Sequence, residues 1–98
     1  MSIAARVTIQ NRKGLHARAA AKVVKTATQY DAQVRVTRIL REGETVDVPT
    51  VGATSILGLL MLAGETGVQL DFAADGPQAQ EVIDALVALV NRKFDETE

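Results

Sequence analysis

The sequence predicts an α+β two-layer sandwich in the order β-α-β-β-α-β-α. Three observations carry it. Four short segments alternate apolar and polar residues, as strands with one wet face do. Three others place apolar residues at helical spacing or in a compact apolar run. Because every strand alternates, helices cover only one sheet face, which points to an antiparallel or mixed sheet.

The elements follow in order. Ile3, Ala5, Val7 and Ile9 alternate with Ala4, Arg6, Thr8 and Gln10, a strand. Asn11-Arg12-Lys13-Gly14 is a polar loop closed by a breaker. Ala20, Val23, Val24 and Ala27 then share one face of a helix over roughly residues 17–29. Val34 and Val36 start a second strand running to about Leu40, Glu42-Gly43 is a turn, and Val46 and Val48 form a third strand that Pro49 ends or places at an edge. Thr50 to Thr54 reads as a loop. Ser55 caps a short helix through Ala63, stopped by Gly64. Val68, Leu70, Phe72 and Ala74 make the fourth strand. Asp75-Gly76-Pro77 reads as a helix start, followed by the stripe Ala79, Val82, Ile83, Leu86, Val87, Val90 and Phe94. Asp95-Glu96-Thr97-Glu98 is expected to fray, leaving an ordered core of about 3–94 in a single domain, 1–98.

Composition narrows the function. The 98 residues contain no cysteine, which excludes a disulfide scaffold, a thiolate metal site and a cysteine nucleophile. The start shows no signal peptide, and the longest apolar run, Ile56 to Ala63, is too short to cross a bilayer, so a cytoplasmic protein without membrane insertion is expected. Tyr30, Phe72 and Phe94 are the only aromatics, which disfavours a nucleic-acid binder that stacks bases. The net charge of −1 hides a split: residues 1–41 carry nine basic side chains and one acid, whereas residues 42–98 carry two and eleven. That suits an acidic partner or a phosphate, unless the charges cancel locally.

The chemistry concentrates where the first loop meets the first helix. His16 is the sole histidine and directly precedes the helix. A helix start leaves four backbone N–H groups unpaired and carries partial positive charge, so a phosphate there meets donors at Ala17, Arg18 and Ala19. Gly14 lets the loop turn sharply, and Arg18 supplies a forked cation suited to phosphoryl oxygens. A neutral imidazole in this position can accept a phosphoryl group. A lone histidine is more often an ordinary cap residue, and with no second histidine or cysteine a metal site is disfavoured. No cofactor is expected.

Gly14-Leu15-His16-Ala17-Arg18-Ala19-Ala20 resembles the active-site motif Gly-Leu-His-Ala/Thr-Arg-Pro-Ala of HPr, the histidine phosphocarrier of the phosphoenolpyruvate-dependent phosphotransferase system, and of its nitrogen-branch relative NPr. Ser55-Ile56-Leu57-Gly58-Leu59 is similar to the family segment Ser-Ile-Met-Gly-Leu around a regulatory serine. The resemblance runs from about Val7 to Val90. It implies an open-faced β-sandwich, four antiparallel strands backed by three helices on one face. It implies that His16 takes a phosphoryl group on Nδ1 from enzyme I and passes it to EIIA-type proteins, with Arg18 holding the phosphate. The protein would be a stoichiometric carrier rather than an enzyme, and a monomer. Ser55 would be the target of an HPr kinase/phosphorylase where one exists. Leu15, Ala20, Ile56, Leu57 and Leu60 would lie on the docking surface. The alternative is a purely regulatory module controlled at Ser55. Three departures stand out: Ala19 replaces the usual proline, Leu57 replaces methionine, and the stretch from Thr37 to Ser55 is longer than in typical members.

Overall fold

A computed structural model describes residues 2–45, 48–62 and 64–96. The elements are β1 (Ile3–Thr8), α1 (Ala17–Ala27), β2 (Gln33–Arg38), β3 (Thr50–Gly52), α2 (Ile56–Met61), β4 (Gln69–Asp75) and α3 (Ala79–Asn91), then a 3-10 turn at Lys93–Asp95. The four strands form one antiparallel sheet in the order β1-β4-β2-β3. The late strand β4 thus fills the gap between β1 and β2, and α1 connects those two across it.

Alternation does the sorting expected of it. On the covered face, Val7 lies opposite Leu70, Val36 opposite Phe72 and Val34 opposite Ala74, all buried. Against them pack Ala20 and Val23 of α1, Leu59 of α2, and Val82, Ile83, Leu86, Leu89 and Val90 of α3. The other face is polar. Arg6 grips its cross-strand partner Asp71 at 2.8 Å, Thr37 and Thr50 share a hydrogen bond of 2.9 Å, and Arg35 reaches diagonally to Asp75 at 3.0 Å. Basic residues of the N-terminal half therefore meet acids of the C-terminal half, and part of the charge split cancels locally.

Several sequence expectations change. The third strand lies at Thr50–Gly52, after Pro49, where a loop was expected. Of the expected strand, Val46 and Asp47 lie outside the described residues, and Val48 is irregular. The Glu42-Gly43 turn is present, with Gly43 at φ +84°. The chain does not pair straight after it, because Glu44 turns back to the preceding strand. Its carboxylate binds the buried Arg38 guanidinium at 2.9 and 3.1 Å and accepts the Arg41 N–H. The Arg41 amide and then the Arg38 side chain hold the Glu44 carboxyl below its usual pKa. Asp75 does not cap α3. It ends β4, paired with Gln33, and its side chain is occupied by Arg35. Gln78 precedes the helix instead and clasps Asp31, accepting the Asp31 N–H at 2.7 Å and donating its own to the Asp31 carbonyl at 3.0 Å. The expected end of α2 at Ala63 lies outside the described residues; the last helical residue is Met61.

Phe72 sits at the centre of the sheet and is 1% exposed. Phe72→Ala is expected to destabilise the fold by about 3–5 kcal/mol, from lost burial plus the cavity left. Urea unfolding followed by circular dichroism measures it.

Candidate functional site

The loop before α1 is held by reciprocal bonds. Gly14 N–H donates to the Asn11 carbonyl at 3.2 Å, and the Asn11 side-chain amide donates to the Gly14 carbonyl at 2.8 Å. Leu15 N–H then donates to the Gly64 carbonyl at 2.7 Å, tying the loop to the segment after α2. Gly14 is left-handed, at φ +67°, and a Cβ there would collide with the Gly64 carbonyl oxygen. Only glycine fits both the turn and the contact.

This loop delivers His16 as the N-cap of α1, with extended backbone (φ −80°, ψ 179°). Its carbonyl accepts the first helical bond, from Ala20 N–H at 2.8 Å. The N–H groups of Ala17, Arg18 and Ala19 precede that ladder, so they are the helix's spare donors. One of them is directed at the imidazole, since Arg18 N–H approaches Nδ1 at 3.3 Å. With Nδ1 accepting that N–H, its lone pair faces the helix start, and a neutral ring would carry its proton on Nε2. Nε2 meets the Glu96 carboxylate. The His16 side chain is 25% exposed, so a partner can reach it. A cleft of about 320 Å³ lies at the far end of α1 and is lined by Ala27, Val34 and Thr54. His16 lies outside that cleft, partly exposed at the start of α1.

Glu96 was not expected here. The tail reaches His16 through a turn in which Lys93, Phe94 and Asp95 are all left-handed (φ 59°, 54° and 64°). Such backbone costs roughly 1–2 kcal/mol per residue. Phe94, fully buried, anchors the turn; Lys22 Nζ donates to the Phe94 carbonyl at 2.5 Å, and Arg92 Nε to Asp95 at 2.8 Å. The Asn11 amide donates to Glu96 Oε1 at 2.9 Å. Asp95 and Glu96 are consequently held in place; Thr97 and Glu98 lie outside the described residues. Phe94 was legible as an apolar anchor, but the change of backbone hand after it was not.

Ser55 caps α2, its Oγ accepting the Gly58 N–H at 3.0 Å, and is exposed. After it, Leu57 and Met61 are 70% and 64% exposed, and Ile56 and Leu60 are also open. Only Leu59 of this helix is buried. Leu15 and Ala20, expected at the docking surface, are instead core residues. Leu15 points under the loop against Gly64, and Ala20 lies on the face of α1 that packs inward, so neither is open to a partner. Met61, overlooked in the sequence, belongs to the exposed patch. Arg18 is exposed in the first turn. Among the described residues no cluster of three His, Cys, Asp or Glu is placed to hold a metal ion, and no helix is long and apolar enough to cross a membrane.

A lone histidine capping a helix, with its Nδ1 lone pair among spare amides and an apolar patch on the neighbouring α2, invites comparison with known proteins. The family model described as the phosphotransferase-system HPr component phosphorylation site matches residues 3–92. The chain belongs to the HPr family. It is 44% identical to the phosphocarrier protein HPr of Pseudomonas aeruginosa over 94% of both chains, and 38% identical to the phosphocarrier protein NPr of Escherichia coli over 98% of this chain and 99% of that one. The crystal structure of HPr-C-His from Thermoanaerobacter tengcongensis superimposes with a TM-score of 0.81 at 33% identity, covering 98% of this chain and 99% of that chain. The open antiparallel sheet with helices on one face is the HPr architecture.

Gly14→Ala is expected to cost at least about 1–2 kcal/mol from the left-handed backbone alone. The amide resonances of Leu15, His16 and Gly64 should also shift, because the close approach cannot be kept. Denaturant melts and amide NMR spectra check both.

Proposed function

We propose that this chain is a stoichiometric phosphoryl carrier of the phosphotransferase system, taking the group from enzyme I on His16 Nδ1 and giving it to EIIA-type proteins. The observation that carries this is the Nδ1 lone pair of His16 held at the start of α1, where Arg18 N–H already points at it. Membership of the HPr family supports it.

The chemistry follows from the geometry. Nδ1 attacks the phosphorus of phosphorylated enzyme I. The new N–P bond forms as the bond to the donor breaks, and the donor keeps that bond's electron pair. The incoming oxygens meet the N–H groups of Ala17, Arg18 and Ala19 and the positive end of α1. The Arg18 guanidinium is close in sequence and free to swing onto them. Ala19, lacking the ring of the family's usual proline, adds a further N–H donor. Transfer to EIIA is the reverse displacement on a new acceptor. His16 is partly exposed, and on this reading the partner protein supplies the rest of the site.

Docking falls to the exposed side chains of α2, Ile56, Leu57, Leu60 and Met61, which leave much apolar surface open. α2 packs against α1, the helix that His16 caps. Ser55, the exposed N-cap of α2, would be the target of an HPr kinase/phosphorylase where one exists: a phosphate there would set negative charge beside apolar docking residues and weaken an acidic partner's hold. The protein acts as a monomer in the cytoplasm, without nucleic acid.

Incubation with enzyme I and radiolabelled phosphoenolpyruvate should label the protein in an acid-labile, alkali-stable form, and His16→Ala should abolish it. Label that survives His16→Ala overturns the assignment. Leu57→Asp should leave stability within about 0.5 kcal/mol, since the side chain is exposed. It should weaken enzyme I binding by about tenfold, roughly 1.4 kcal/mol, in a calorimetric titration.

A further inference from the structure

The carrier chemistry leaves one costly feature unused. Three successive non-glycine residues adopt left-handed backbone so that Glu96 can lie against His16. Strain of this kind persists where the surroundings fix it, and here they fix it twice over: Phe94 is buried without remainder, and Lys22 holds its carbonyl. The far end is fixed as well. Asn11, 0% exposed, uses its two amide protons on Gly14 O and Glu96 Oε1, so one side chain braces both the histidine loop and the tail. Both partners are acceptors, which settles the orientation of the amide.

We propose that Glu96 is a positioning residue for His16, with Asn11 as its brace. The inference rests on the phosphoryl-carrier reading and deepens it. The Arg18 N–H contact to Nδ1, at 3.3 Å, is long for a hydrogen bond and holds the ring weakly. The Glu96 carboxylate accepts the proton of the opposite nitrogen, Nε2. Holds on both nitrogens fix the ring plane and keep the proton on Nε2, leaving Nδ1 as the nucleophile. The carboxylate has a second effect during transfer. When Nδ1 bonds to phosphorus, the ring retains its Nε2 proton and becomes cationic. No proton need leave, and the adjacent anion compensates the charge.

The test uses the full chain labelled with ¹⁵N-histidine. In wild type, long-range ¹H–¹⁵N spectra should show the neutral ring as the Nε2–H form alone. Glu96→Ala should introduce a fraction of the Nδ1–H form and slow phosphorylation by enzyme I about tenfold. Glu96→Gln keeps an acceptor for Nε2–H but removes the charge, so it should retain the wild-type nitrogen shifts and still lose part of the rate. Urea melts of all three confirm that the fold is intact at the assay temperature. Unchanged nitrogen shifts and an unchanged rate in Glu96→Ala overturn the proposal, even if the wild type is labelled on His16. A wild type that takes no label, with ring shifts that still respond to Glu96→Ala, overturns the carrier reading and leaves the hold on the ring standing.

Discussion

The close approach of the Gly14–Leu15 backbone to the Gly64 carbonyl is the constraint on which the functional end of the molecule depends. It pins a loop that would otherwise wander to a point beyond α2, buries Leu15, and fixes where α1 begins. A helix start is useful only if its first amides face something. Here the preceding residue is an extended cap whose ring lies over them, and that follows from the turn two residues earlier. On the proposed reading, affinity for an anion would come from main-chain groups that every helix possesses. What the sequence adds is a nucleophilic ring in the right place and a glycine that lets the loop come close.

The region around His16 and the exposed side of α2 differ in chemistry and are linked through the α1–α2 contact. The imidazole region is polar, bordered by spare amides and a carboxylate. The α2 region is apolar, with four open side chains and one buried leucine as its root. On the proposed reading, that link would let apolar association supply affinity while the polar end is left free for bond making and breaking. A carrier that bound its phosphate donors through the histidine region alone would have to weaken its chemistry to release them.

Local pattern made most of this legible. The period-two strands and the α1 stripe follow from residues that bury the same face wherever the chain goes, and His16 and Ser55 stand out because cap positions are set by nearest neighbours. The losses came from longer range. Val46 and Val48 alternate like a strand, but Pro49 and the return of Glu44 to Arg38 move the pairing on to Thr50–Gly52. Asp75 looks like a helix cap until the sheet claims it. Leu15 and Ala20 sit beside the motif in sequence and face inward in space. Glu96 was the deepest loss: its partner is eighty positions away, and the turn that carries it uses a backbone conformation that no composition rule favours for lysine, phenylalanine or aspartate.

The brevity of β3 has its own consequence. It forms the outer border of the sheet beyond β2, with three residues and a proline just before them. A border that short exposes few amides to a neighbour's strand, and the proline withholds one more. On that side the sheet offers little footing for lateral growth, so crowding does not readily turn a small, partly open sheet into a stack. A carrier that must let go of one companion before meeting the next, as proposed for this chain, would gain from being poor at holding on to copies of itself.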